Sequence, residues 1–343
     1  MSIIITVLLL GIIVFIHEFG HFITAKIFHM PILEFAVGIG PKLISKKVNT
    51  TVYSIRAIPF GGFVSIDGME VETGNKVENG FNTQNPIKRL IVLGAGVTMN
   101  FLSGIFVLFI LFTITKTVPP ASVIPKVKTV LENTRSKNII KPGDIITDIN
   151  GTEIRSWKDL TDVMGKINAE NYNDQDIEVK VTRENKEETL KTKLTYNEGN
   201  KIYILGIEPE IPHMNILERA KLSVVSFFSI LSEMLKGIVS LFTGKVSMNQ
   251  LTGPVGLTKV VGQAYSSGGF IILLNFFVLL SINIGLINLL PFPALDGGRI
   301  IFVLLELVGI KVNKKIEEKV HIIGFTLLIM LMALIVFNDI RNF

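Results

Sequence analysis

Residues 3–27 read IIITVLLLGIIVFIHEFGHFITAKI, an apolar run broken by Thr6, Thr24, Lys26 and the cluster His17, Glu18, His21. A helix needs about 20 residues to cross a hydrocarbon core of about 30 Å, so this stretch predicts a membrane span. It lacks the basic n-region and the small-residue cleavage site of a signal peptide. Ionisable side chains inside a span are costly and mark function by default. The cluster therefore sets the question for the rest of the chain.

Of 343 residues, 48% are hydrophobic and 18% charged. That balance excludes a disordered chain and argues against an ordinary soluble enzyme, whose charged fraction would be about a quarter. With no cysteine, disulfide scaffolds, thiolate metal sites and cysteine nucleophiles are excluded. Three more spans are predicted: 25 uncharged residues at 90–114, 21 at 270–290, and 16 at 322–337, extended by Val320 and His321. Residues 222–244 carry Glu233 and Lys236 at their centre, while Val225, Phe228, Leu231 and Leu235 recur at helical spacing. That pattern predicts an amphipathic helix lying in the membrane interface.

Basic residues crowd the loop between the first two spans, including Lys42, Lys46, Lys47 and Arg56, and the loop from Arg299 to Lys319. The positive-inside rule predicts that both loops are cytoplasmic and both termini extracytoplasmic. No basic stripe with interleaved aromatics suggests nucleic-acid binding. Residues 119–212 are polar and alternate apolar residues in short runs such as Ile177-Glu178-Val179-Lys180-Val181, a period of two that predicts strands. A short helix is predicted over 158–167. Lys141-Pro142-Gly143-Asp144 and the tight turn Ile149-Asn150-Gly151 resemble the PDZ signature. The small-residue run usual before the Gly-Asp turn is replaced by residues 133–138, NTRSKN. On the cytoplasmic side, residues 34–37, 52–55 and 63–66 also alternate, separated by Gly38, Gly40-Pro41, Asn49 and Gly61-Gly62. These predict hairpins that lean on or dip into the membrane.

His17-Glu18-Phe19-Gly20-His21 places two histidines about one 5.4 Å turn apart on one helix face, where both imidazoles can grip one Zn²⁺. Glu18 stands about 100° round the helix, suited to take a proton from water rather than to ligate. A catalytic zinc wants one more protein donor. The candidate is Asp296, after the helix-breaking Pro291-Phe292-Pro293 and before Gly297-Gly298. The plainer alternative is that Asp296 caps the next helix. Glu306, ten residues further on, is the substitute candidate.

These residues, in this order, resemble the site-two protease family of intramembrane zinc metalloproteases, the bacterial branch with a PDZ insert. The match runs through HEFGH at 17–21, FAVGIGPKL at 35–43, PFGGFV at 59–64, GAGVTMNF at 94–101, LTGPVGL at 251–257 and NIGLINLLPFPALDGGR at 283–299. Val97 stands where the family often has proline. The resemblance implies that His17, His21 and Asp296 bind zinc and that Glu18 is the catalytic base. It also implies substrate contacts from Asn283 and Asn288, from a membrane-associated β loop containing Gly61, Gly62 and Phe63, and from Asn100. For the three asparagines, helix–helix hydrogen bonding is the alternative. Substrates would be single-span membrane proteins, such as anchored anti-sigma factors already shorn of their outer domain, or signal-peptide remnants.

The expected architecture is an α-helical polytopic protein of the bacterial cytoplasmic membrane with about four transmembrane helices. Residues 1–114 hold the first two spans and a cytoplasmic, membrane-associated β-hairpin region at 34–66. Residues 115–212 form an extracytoplasmic mixed α/β PDZ-like domain, 213–262 an interfacial helical region, and 263–343 the last two spans. The competing reading is a non-catalytic membrane scaffold whose PDZ-like domain binds peptides. A transporter would call for internal repeats, and the sequence has none.

Overall fold

The first span folds as α1 (Ser2–Ile27), a helix whose two threonines return their hydroxyls to carbonyls on their own helix. His29 ends it in the left-handed region (φ 56°), and the Met30 N–H donates back to the Ala25 carbonyl at 2.9 Å. This closes the helix as a glycine would. The computed structural model of the chain describes residues 2–69, 78–170, 172–244, 253–310 and 312–341. They form two units, Met1–Leu111 with Ala220–Phe343, and Phe112–Arg219.

Among the described residues, the first unit is helical apart from one hairpin and a short 3-10 turn at Phe81–Thr83. Its helices are α1, α2 (Pro86–Ile114), α4 (Ile216–Phe242), α5 (Pro254–Leu289), α6 (Asp296–Leu307) and α7 (Lys314–Arg341). Five of these, α1, α2, α4, α5 and α7, are long and apolar enough to cross a membrane, against the four spans expected. The fifth is α4, which covers 222–242 of the stretch predicted to lie in the interface and is the least apolar of the set. Large side chains on α7 such as Phe325, Met330 and Leu334 stay exposed, as suits a helix facing lipid. The third expected span begins earlier than its uncharged core suggests. α5 runs for 36 residues with a bend at Gly269 (φ 60°), so the expected division at 262/263 falls inside a helix. The Asp339 carboxylate at the end of α7 accepts the Gly253 N–H at 3.0 Å and the Gly256 N–H at 2.9 Å, capping the start of α5 from outside. Leu251 and Thr252 of the LTGPVGL motif lie outside the described residues.

The hairpin consists of β1 (Ile32–Val48) and β2 (Thr51–Ile66), turning at Asn49 (φ 53°). The three alternating runs all fall in it. Residues 34–37 pair with 52–55 and also with 62–65, because β2 bends around β1, with Gly61 (φ 84°) on the bend. Its far end stays close to α1: a Cβ on Gly11 of α1 would stand 2.7 Å from the Pro59 carbonyl oxygen. Glu34 ties the sheet together, accepting Ser54 Oγ at 2.6 Å and pairing with Arg56 at 2.8 Å and Lys42 at 2.9 Å. Partial burial pushes its carboxyl up, but these three donors outweigh it and hold it at about 2, below the ordinary 4.5. Because the folded value is depressed, the contribution is full above pH 4.5 and is lost as pH falls toward 2. Glu34→Gln is expected to lower the unfolding temperature at pH 7 and to weaken its decline between those limits, as a thermal melt series would read.

The second unit is built on a four-stranded sheet ordered β5–β4–β6–β7 from β4 (Ile145–Ile149), β5 (Thr152–Glu153), β6 (Ile177–Arg183) and β7 (Lys186–Thr192). Asn150 and Gly151, both with positive φ, make the predicted tight turn between β4 and β5. The predicted helix is α3 (Trp157–Ala169), started by a capping box between Ser156 and Asp159. Ile146, Ile149, Leu160, Val179 and Val181 join in its core. The unit begins and ends a few residues outside the expected 115–212. β3 (Val127–Val130) pairs with β10 (Ile207–Pro209), closing the two ends of the insert on each other, and β8 (Thr195–Asn197) pairs with β9 (Ile202–Ile204).

Candidate functional site

Helical spacing puts His17 and His21 on the buried face of α1, and α2 crosses that face at close range. The crossing needs two glycines. A Cβ on Gly20 would stand 2.8 Å from Met99 Cγ and would strike the Ala95 carbonyl. A Cβ on Gly96 would stand 2.7 Å from His17 Nε2 and would overlap the His21 ring. With both positions bare, the two imidazoles fit between the helices with their rings edge to face.

The third component arrives from α5 and α6. Two prolines end α5, and Ala294 takes a positive φ of 78° in the loop that follows. Its N–H donates to His321 Nδ1 of α7 at 2.9 Å, which holds the loop. The chain then doubles back over the first turn of α6, where a Cβ on Gly298 would stand 2.9 Å from the Phe292 carbonyl carbon. The paired glycines after Asp296 are thus required by backbone approach. Asp296 itself is the first residue of α6, after the cap position Leu295, and makes no capping hydrogen bond there. Its carboxylate turns to the histidines instead.

His17 Nε2 lies 3.0 Å from Asp296 Oδ2, His21 Nε2 lies 3.3 Å from the same oxygen, and the two Nε2 atoms are 3.2 Å apart. Two imidazole lone pairs and a carboxylate so close repel one another unless a cation or protons lie among them. Donors bound at 2.0–2.2 Å around one tetrahedral Zn²⁺ stand about 3.3 Å apart. The three separations observed match that spacing, and the N,N,O donor set suits zinc. Among the described residues, this is the one group of three that could hold a metal.

The other expected residues fall into two sets. Glu18 is half-buried and its Oε2 accepts the Val64 N–H at 3.1 Å, so the PFGGFV segment of β2 reaches the site. Gly61, Gly62 and Phe63 lead into that contact, with Arg56 stacked 4.8 Å from the Phe63 ring. Asn100 is fully buried, with Nδ2 3.3 Å from His17 Nδ1. Asn283 and Asn288 are half-buried on α5. Five residues apart, they point about 140° from each other around the helix, so they do not share a face. Glu306, the substitute ligand, pairs instead with Arg89 at 2.6 Å.

Sequence reasoning missed the backbone groups. His21 Nδ1 donates to the Val92 carbonyl at 2.7 Å, and Val64 offers its amide to Glu18. Any residue could supply either group, so no letter in the sequence signals them. His321 did carry a signal, as an ionisable residue at the start of an apolar run.

A profile of peptidase family M50 matches residues 5–331. A Fusobacterium nucleatum protein, named provisionally as a zinc metalloprotease, is 45% identical over 343 residues, covering 99% of this chain and 98% of that protein. The Regulator of sigma-W protease RasP of Bacillus subtilis is 28% identical over 421 residues, covering 98% of this chain and 97% of its own. The PDZ domain of the SdrC-like protein of Listeria innocua is 23% identical, covering 27% of this chain and 100% of its own, with a TM-score of 0.23. A profile match that starts before the paired histidines and ends after Asp296 takes in every component of the site, and the chain belongs to peptidase family M50.

Proposed function

We propose that this chain is a zinc metalloprotease that cleaves peptide bonds within membrane-spanning segments. The observation that carries the reading is the convergence of His17 Nε2, His21 Nε2 and Asp296 Oδ2, one residue along α1 from Glu18, whose carboxylate accepts the Val64 N–H. His17, His21 and Asp296 would hold the metal. Zinc, when bound there, supplies a Lewis acid and a means of acidifying water near neutral pH.

The chain's own residues do the rest. Glu18 accepts a proton at its carboxylate and returns it to the leaving amine. Its neighbour Val64 lies on the edge of β2, whose residues 62–65 pair with β1 on one side, and no further strand joins them among the described residues. A substrate helix hides its carbonyls in internal hydrogen bonds and must unwind before it can be cut. An extended segment then adds to the edge at Gly62 and at the Val64 carbonyl, the Val64 N–H being held by Glu18, which replaces part of the lost bonds. Asn283 and Asn288, which lie on different faces of α5, would serve different parts of the unwound backbone. Spans containing helix-breaking residues are therefore favoured substrates. Membrane-anchored regulators already trimmed on their outer side, and signal-peptide remnants, are the classes we assign. The name of the Bacillus subtilis relative supports the first.

We place the basic loops in the cytoplasm, with the metal near the cytoplasmic face and the PDZ-like insert outside. The contact between Asp296 and the histidines supports an interfacial α4. A spanning α4 would invert α5 and carry Asp296 to the face away from His17. A scaffold reading gives these buried ionisable groups nothing to do.

Glu18→Gln tests the assignment. The purified variant is expected to keep full zinc stoichiometry by elemental analysis. Its cleavage of a single-span reporter is expected to fall by about 10²–10⁴-fold, the usual worth of a general base. Cleavage at the unaltered rate would refute the role of Glu18.

A further inference from the structure

The two histidines of the site are held from behind in different ways. His21 Nδ1 faces the Val92 carbonyl, which can only accept. That partner forces the proton onto Nδ1 and leaves Nε2 with a free lone pair. His17 Nδ1 faces the side-chain amide of Asn100, which can either donate or accept.

Asn100 is well fixed. It lies one turn beyond Gly96 on α2 and is fully buried. Its backbone carbonyl accepts Ser103 Oγ at 2.8 Å and Ser281 Oγ at 2.9 Å, the latter reaching across from α5. The two hydroxyls are 3.0 Å apart, so the asparagine is pinned at the junction of two helices. Its Nδ2 stands 3.3 Å from His17 Nδ1, while its Oδ1 is buried without a partner.

An amide N–H donated to Nδ1 puts the ring proton on Nε2, the atom aimed at His21 and Asp296. That tautomer suits the metal-free site, where Nε2–H can donate to Asp296 Oδ2 at 3.0 Å. A metal needs the opposite tautomer. A half-turn of the amide exchanges Oδ1 and Nδ2 with little change of shape, and Oδ1 then accepts from Nδ1–H. Either orientation leaves one amide atom unpaired, so the tautomer of His17 decides between them.

We propose that Asn100 is a positioning residue for the metal centre, whose Oδ1 accepts from His17 Nδ1–H and keeps His17 Nε2 available to zinc. This rests on the zinc reading above. It gives Asn100 a task on a ligand, where the sequence had suggested contact with substrate.

The test is zinc affinity of the full-length, detergent-purified chain, measured by competition with a chromophoric chelator, so that no substrate is involved. Asn100→Leu keeps the volume but removes the acceptor, and zinc should bind about 10–100-fold more weakly. Asn100→Asp keeps an acceptor at the same place, and its affinity should stay within a few-fold of the unaltered protein. A merely structural role would damage both variants or neither. Should Asn100→Leu fail to fold by thermal melt, Asn100→Ala carries the same expectation. Unaltered affinity in a folded variant lacking the acceptor overturns the proposal, as does equal loss in Asn100→Asp. Absence of zinc binding by the unaltered chain overturns the metal reading itself, and this proposal with it.

Discussion

Asp296→Asn should abolish cleavage and strip the site of zinc while leaving the fold in place. The asparagine is isosteric and keeps one oxygen near the two Nε2 atoms, now 3.0 and 3.3 Å from Asp296 Oδ2. It loses the negative charge that balances a divalent cation between two neutral imidazoles. Loss of a ligand should exceed the about 10–100-fold that outer contacts cost. The fold should survive because Asp296 makes no capping bond to α6. The rest of its loop is held by the Ala294–His321 hydrogen bond and by the close packing of Gly298. Elemental analysis and a reporter assay on the same preparation check this. Full zinc content with full activity would remove Asp296 from the ligand set.

Gly96→Ala should be nearly as damaging, although it adds one methyl group and alters no polar atom. The new carbon would stand 2.7 Å from both Cε1 and Nε2 of His17 and closer still to the His21 ring. Either the imidazoles swing away from Asp296 or α2 withdraws from α1. Overpacking of this kind costs about 1–3 kcal/mol in a well-packed core. Here the displaced atoms are the donors themselves, so zinc affinity should fall at least 100-fold, about 2.7 kcal/mol of binding. Gly94→Ala is the control, because its Cβ would meet nothing within 4 Å. That substitution should leave zinc binding unchanged and raise helix stability by up to about 1 kcal/mol. Equal behaviour of the two variants in the chelator competition would show that the α1–α2 crossing is not as close as described.

Much of this protein was legible before folding. Its apolar runs announced the long helices, since burial in lipid requires continuous apolar length. The i, i+4 histidines of α1 were legible as a pair, because helical periodicity alone brings them to one face. Alternation in 34–66 and 119–212 separated the strands from the spans. Boundaries were less legible. Residues up to 262 are expected in the interfacial helical region, yet those from Pro254 on belong to α5, whose first turn is capped by Asp339, more than eighty residues away. α4 shows the same limit, since its composition alone does not say whether it crosses the membrane.

The sequence by itself determined the residue types of the site and two of its three donors as a pair, because those lie within one helical turn. Tertiary structure alone decided that Asp296 faces the histidines, 279 residues from His17, rather than its own helix end. It also decided that Gly20 and Gly96 mark a crossing too close for any side chain, and that Val92 and Val64 serve the site through backbone atoms. The physical reason is the same in each case. A helix reports its own periodicity in its letters, but a contact between helices depends on how far their backbones approach, and that distance is set by the whole packed bundle.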